Sequence, residues 1–164
     1  MKPIEVLHSF IFKEAFEYLS KLTISQKPLW GNMDAQQMVE HLALAVKVSN
    51  VKLQPPLLSD PAKVDKIKQI SLLSARPLPK GFQNEALPST PLPYQSSDLA
   101  EAIQILKNEL IAFEALYQQN PDIGFQHNLF GRLNFTEWLY FHYKHFHHHF
   151  AQFNLIPYVE RFED

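Results

Sequence analysis

The sequence predicts an all-α fold: an antiparallel four-helix bundle with a short extra helix and a long proline-rich loop. Three observations predict it. Four stretches carry apolar residues at mixed three- and four-residue spacing, the stripe of an amphipathic helix. Asp34 with Gln37, and Asn134 with Glu137, have the spacing of capping boxes just ahead of two of those stretches. No run alternates with the period of a strand, and no hairpin turn signal competes. The 164 residues suffice for one domain with a real core, so a single domain over 1–164 is expected.

The first helix is expected over 4–22, where Leu7, Phe10, Ile11, Ala15, Tyr18, Leu19 and Leu22 share a side; Pro28 and Gly31 break the chain after it. Asp34 then caps a helix over 35–49 whose inward face carries Met38, His41, Leu42, Ala45 and Val48. The segment 51–61 reads as loop, and Pro61 suits the first turn of a short helix over 62–73. Prolines 77, 79, 88, 91 and 93 deny regular hydrogen bonding to 76–93, a long loop expected to cover one end of a pocket. Ser97 or Asp98 caps a helix over 99–118, with a seam of Leu99, Ile103, Leu106, Leu110 and Phe113 long enough for a second copy to pair along it. Phe125 to Gly131 reads as a loop, and Asn134 caps the last helix, expected to reach 154 before Pro157.

Composition narrows the function. The net charge is −2 and the pI about 6.4, with both signs interspersed, so no electrostatic footprint for nucleic acid or an anionic membrane is present. The chain has no cysteine, which removes disulfides, thiolate metal sites and a cysteine nucleophile together. It shows neither a signal-peptide pattern nor a window approaching the roughly 20 apolar residues of a membrane span, and a cytoplasmic location is expected.

Chemistry is concentrated in the last helix. The stretch Trp138-Leu-Tyr-Phe-His142-Tyr-Lys-His145-Phe-His147-His148-His149-Phe-Ala-Gln152 holds five of the eight histidines. On a helix Trp138, His142, His145, His149 and Gln152 form one stripe, and His145 and His149 stand one turn apart, the spacing at which two imidazoles converge on one ion. A third ligand must come from a facing helix; His41, mid-helix among apolar neighbours, is the best candidate. His142 or His148 takes that place if the helix is rotated. His148, Gln152, His142 and Trp138 otherwise surround the site, while His147 points away, His127 stabilises a bend and His8 is structural or on the surface. The plain alternative is that clustered histidines on an aromatic helix are packing or surface. Three neutral imidazoles leave a divalent ion's full charge in place, which favours ionisation of a bound water or thiol. Zinc is the first expectation, though imidazole also suits nickel, iron, copper and cobalt.

Trp30-Gly-Asn-Met-Asp-Ala-Gln-Gln-Met-Val-Glu-His41-Leu, His127-Asn-Leu-Phe-Gly131, Glu137-Trp138 and the H-x-x-H-H-x-x-Q pattern from His145 to Gln152 together resemble the DinB/YfiT-like superfamily over nearly the whole chain. The resemblance implies a four-helix bundle whose metal, nickel or zinc, is held by His41, His145 and His149. It also implies a metal-dependent enzyme acting on a small-molecule substrate, of the thiol S-transferase type using a low-molecular-weight thiol, or a hydrolase. The chain departs from the family's pattern at Asn128, where many members carry proline. The rival expectation is a non-catalytic ligand-binding or stress-response protein with a structural or vestigial metal site. No general base is identified; Glu40 neighbours His41 in sequence but faces off the stripe.

Overall fold

The structure is a computed structural model that describes residues 2–82, 88 and 90–163. Helix α1 runs over 4–19, with α-helical Ile4–Ser9 and Ala15–Leu19 on either side of a π-helical turn at Phe10–Glu14. Leu7, Phe10, Ile11, Ala15 and Leu19 are buried from it; the helix ends at Leu19, three residues before the expected end, and the chain turns at 20–21. Helix α2 is Ala35–Ser49. Its capping box is formed: Asp34 accepts from Gln37 N at 2.9 Å and donates its own N–H to Gln37 Oε1 at 3.1 Å. Just past its end Val51 sits at φ 68, a left-handed conformation that costs a β-branched residue about 1–2 kcal/mol.

Helix α3, over 61–72, is irregular: a 3-10 turn Pro61–Lys63, one α turn Val64–Ile67 and a π turn Lys68–Leu72. The buried Lys144 donates to the carbonyls of Ser71 and Ser74, both at 2.7 Å, and so closes the C-terminal end of α3 onto the last helix. Within the proline-rich 76–93, the described residues 76–82, 88 and 90–93 carry neither helix nor strand; 83–87 and 89 lie outside the described residues. Asp98, and not Ser97, caps helix α4, Leu99–Gln119.

The final helix, α5, is Phe135–Gln152, entered through the Asn134/Glu137 capping box. It ends two residues early because Asn154 adopts φ 54, with Asn154 N donating to Ala151 O and Leu155 N to Phe150 O, a Schellman closure. Trp138, Phe146 and Phe150 on α5 are fully buried together with Phe113, Leu7, Ile11, Met38, Leu42 and Leu106 from the other helices. Helix α2 lies along α4, and α5 packs on both α1 and α2.

The expectation of an all-α four-helix bundle is overturned. Among the described residues there are five helices and a two-stranded antiparallel sheet: β1, Phe125–His127, pairs with β2, Gly131–Leu133, in the register Phe125 to Leu133 and His127 to Gly131. The segment read as a loop is a hairpin. Its strands are too short for an alternating pattern to stand out, but Phe125, His127 and Leu133 point inward while Arg132 points out. Gly131, at φ 69 after a three-residue connection, is the residue that lets the hairpin close. A Cβ there would also lie 2.8 Å from Val64 Cγ1 of α3. No helix among the described residues is long and apolar enough to cross a membrane.

Candidate metal centre

The capping box at Asn134 fixes the start of α5, and packing of Trp138, Phe146 and Phe150 fixes its rotation. That rotation turns His145 and His149 toward α2 and brings them to His41. His41 Nε2 lies 2.9 Å from His145 Nε2, which lies 3.0 Å from His149 Nε2. The three ligand atoms are all within 4.8 Å of one another, close enough to bind a metal ion. His145 and His149 are buried, and His41 is half-buried.

The proton accounting favours a cation. Gln152 Nε2 donates to the carbonyl of Trp30 at 2.6 Å, so its Oε1 faces His149 and accepts from Nδ1–H at 2.7 Å. His149 Nε2 is then a bare lone pair aimed at the cluster. For His145, whichever nitrogen carries the proton, a buried atom is left over: Nδ1 has no hydrogen-bond partner among the described residues, and Nε2 faces two other imidazole nitrogens. Orphaned buried polar atoms are costly. An ion among the three lone pairs removes the conflict at Nε2. For metal–nitrogen bonds of about 2.0–2.1 Å, the nitrogens of the His41–His145 and His145–His149 pairs, now 2.9 and 3.0 Å apart, need to open by only a few tenths of an ångström.

Burial also keeps the cluster neutral. It pushes His41 down to about 4, with the nearby His148 adding to the effect. His145 and His149 lie well below the ordinary histidine value, through burial first and then through neighbouring imidazoles; the Gln152 bond opposes this at His149. Neutral imidazole is the form that binds metal.

Gln152 is held in turn by the loop before α2. Leu29 N donates to the Gln152 backbone carbonyl at 2.7 Å, and Gly31, at φ 81, passes so close that a Cβ would meet Gln152 Nε2 at 2.6 Å. Metal-bound imidazoles characteristically have such an oriented acceptor on the second nitrogen. Sequence reasoning named Gln152 but not the loop; Gly31 inside an otherwise ordinary loop was the available signal.

Other predicted residues sort differently. His148 stands beside the cluster, its Nδ1 3.3 Å from Leu78 O and its ring edge-on to Trp30, so it lines the side nearest the 76–82 segment. His142 and Trp138 are core residues and not part of the site. Ser49 Oγ donates to Val46 O, so it accepts from His142 Nε2–H at 2.9 Å, and Trp138 stacks on the His142 ring at 5.6 Å. Both side chains are fully buried. Phe141, not singled out from sequence, stacks on His145 at 5.1 Å. His147 packs on Phe10; His127 Nδ1 accepts from Leu129 N and shapes the hairpin bend; His8 pairs with Glu114 at the surface. Glu40 is spent elsewhere: its carboxylate accepts from Gln95 N and Ser96 N, both at 2.9 Å, and from Ser96 Oγ, tying 95–96 to α2. Burial works against its charge, yet these bonds and Gln36 hold it below its usual value.

The model of the family described as "Protein of unknown function (DUF1569)" matches residues 5–155, and the chain belongs to that family. No curated protein and no solved structure matches the chain.

Proposed function

We propose that this family member is a divalent-metal protein in which His41, His145 and His149 hold zinc or nickel, and that it is an enzyme acting on a small molecule. The observation that carries the reading is the convergence of three imidazole Nε2 atoms, the outer two 2.9 and 3.0 Å from the central His145, with His149 oriented from behind by Gln152. The likeness of the histidine pattern to the DinB/YfiT-like superfamily belongs to the same proposal. When bound, the ion would supply Lewis-acid activation of a thiol or a water.

The protein's own groups make a thiol the better nucleophile. Among the described residues no carboxylate hydrogen-bonds to the three histidines, and Glu40 is tied to a neighbouring segment. A thiol, with a pKa near 8.5, needs far less help to ionise than water. The chain contains no cysteine, so the thiol comes as a co-substrate, and the reading is a thiol S-transferase, with a hydrolase as the lesser form. His41 is the most exposed of the three, and Phe141 and Gln152 hold the other two rings still.

The test is elemental analysis of untagged protein beside the His145→Ala/His149→Ala variant, followed by thiol-consumption assays against small electrophiles. About one equivalent of zinc or nickel, lost in the variant, and turnover reduced at least a hundredfold by His41→Ala are expected. Turnover that survives His41→Ala refutes catalysis at the three-histidine site. The burial of His145 and His149 favours one rival, a purely structural ion. It predicts a large fall in melting temperature on chelation and no turnover at all.

A further inference from the structure

A metal centre that admits a small molecule needs a way in, and two of its three imidazoles are closed off: His145 is 7% exposed and His149 6%. The start of the proline-rich segment lies on that side. His148 adjoins His149, their ring centroids 4.9 Å apart, and its Nδ1–H donates to the carbonyl of Leu78 at 3.3 Å. Two residues on, Lys80 sets its Nζ in a corner of two rings, 4.1 Å from the centre of Tyr158 and 5.0 Å from that of Trp30, which meet edge-on at 6.0 Å. Trp30 is in turn edge-on to His148 at 5.8 Å, and its carbonyl accepts from Gln152, whose Oε1 stands behind His149. Leu78 directly and Lys80 through Trp30 thus both bear on His148, the neighbour of His149.

The segment 77–82 presents Lys80 and is otherwise loosely held. Phe82 N donates to Pro79 O at 3.3 Å across a tight turn whose third residue, Gly81, has φ 72, the conformation a type II turn requires there, so Lys80 stands at the corner. Pro77 and Pro79 stiffen the arm before it. None of the segment's side chains belongs to the hydrophobic core, Phe82 is exposed, and a Cβ at Gly81 would meet nothing within 4 Å. The far end of the proline-rich region is tied down differently: Gln37 Nε2 donates to Leu92 O at 3.1 Å, and Glu40 accepts from Gln95 N and Ser96 N. Few buried contacts at one end, against hydrogen bonds to a helix at the other, make 77–82 the part that opens at low cost.

We propose that 77–82 is a latch over the histidine cluster: Lys80, lodged between Tyr158 and Trp30, holds it shut, and a small molecule reaches His149 only after Lys80 leaves. A lysine against two rings closes the segment by cation–π attraction, and it can leave without uncovering any core side chain. As a gate that sequesters a reaction, the latch rests on the reading of the cluster as a metal centre. It belongs equally to the metal-free protein, where its opening is measured by itself.

The test is modification of metal-free protein at pH 6 by diethyl pyrocarbonate, a small neutral reagent that acylates unprotonated imidazole. The initial rate at each histidine is read by peptide mass spectrometry in the wild type, Lys80→Gln, Lys80→Arg and Tyr158→Leu. Lys80 is exposed, so its replacement leaves the core intact. Lys80→Gln should raise the rates at His148 and His149 about fivefold or more. Those at His127 and His142, buried elsewhere, should not change. Lys80→Arg, which keeps a cation on the rings, should match the wild type, and Tyr158→Leu should behave as Lys80→Gln. Wild-type rates in Lys80→Gln, fast rates in Lys80→Arg, or a rise shared by His127 and His142 each overturns the latch. Elemental analysis decides the metal centre separately. Protein that holds no metal yet shows this dependence on Lys80 loses the centre and keeps the latch; protein that holds zinc with unchanged rates in every variant does the reverse.

Discussion

Gly31→Ala is a change some distance in sequence from any predicted ligand, yet the geometry carries it to the three-histidine cluster through Gln152 and His149. The new Cβ would stand 2.6 Å from Gln152 Nε2, against an ordinary carbon–nitrogen contact nearly an ångström longer, so the Gln152 amide must withdraw. It is held by short bonds, 2.6 Å to Trp30 O and 2.7 Å to His149 Nδ1, and neither survives such a movement. His149 then loses the acceptor that fixes its tautomer and ring plane. Loss of an oriented partner behind a ligating imidazole costs about 10–100-fold in metal affinity. The φ of 81 adds a separate cost of about 1–2 kcal/mol to folding, paid by any residue with a Cβ. The two effects separate in a double-mutant cycle with Gln152→Ala, measured by metal competition with a chromogenic chelator and by urea unfolding. In the Gln152→Ala background, Gly31→Ala should still lower stability but should leave metal affinity within about twofold. An undiminished loss of metal affinity in that background would refute transmission through the amide.

Three further outcomes follow from the same geometry. Ser49→Ala removes the only hydrogen-bond partner that His142 has among the described residues and should cost about 1–3 kcal/mol in urea unfolding with metal content unchanged; a loss below 0.5 kcal/mol would contradict the pairing. Burial pushes both His127 and His142 down to about 3, so between that value and the ordinary 6.5 the unfolded chain binds the extra protons. Stability is therefore full above pH 6.5 and should fall below it, by about 1.4 kcal/mol per pH unit for each histidine, and the His142→Phe variant should show a shallower acid slope in denaturant titrations. Val51→Asn relieves the left-handed strain at an exposed position and should raise the unfolding free energy by about 1 kcal/mol; no gain would mean that the strain is compensated locally.

What the sequence determined by itself is what can be settled within one element. Hydrophobic period and cap chemistry located α2, α4 and α5 to within about two residues, because Asp34, Asp98 and Asn134 each act on backbone groups three positions away. The i, i+4 spacing of His145 and His149 likewise follows from helix geometry alone, whereas the stripe expected to bury His41 with Ala45 and Val48 is turned in the structure: Val39, Ala43 and Val46 are buried with Met38 and Leu42, and His41, half-buried, stands at the edge of that face. Tertiary structure decided everything that depends on how one element is turned against another. Packing of Trp138, Phe146 and Phe150 set the rotation of α5, and this chose His41 as the partner while sending His142 into the core beside Ser49. It also made a hairpin of 125–133, since strands of three residues have too little intrinsic preference to be legible until Gly131 meets Val64. The clasp of Gly31, Trp30 and Gln152, more than a hundred positions apart, leaves no periodic trace in the chain; contacts at that separation are fixed by the fit of whole surfaces, which the order of residues encodes only collectively.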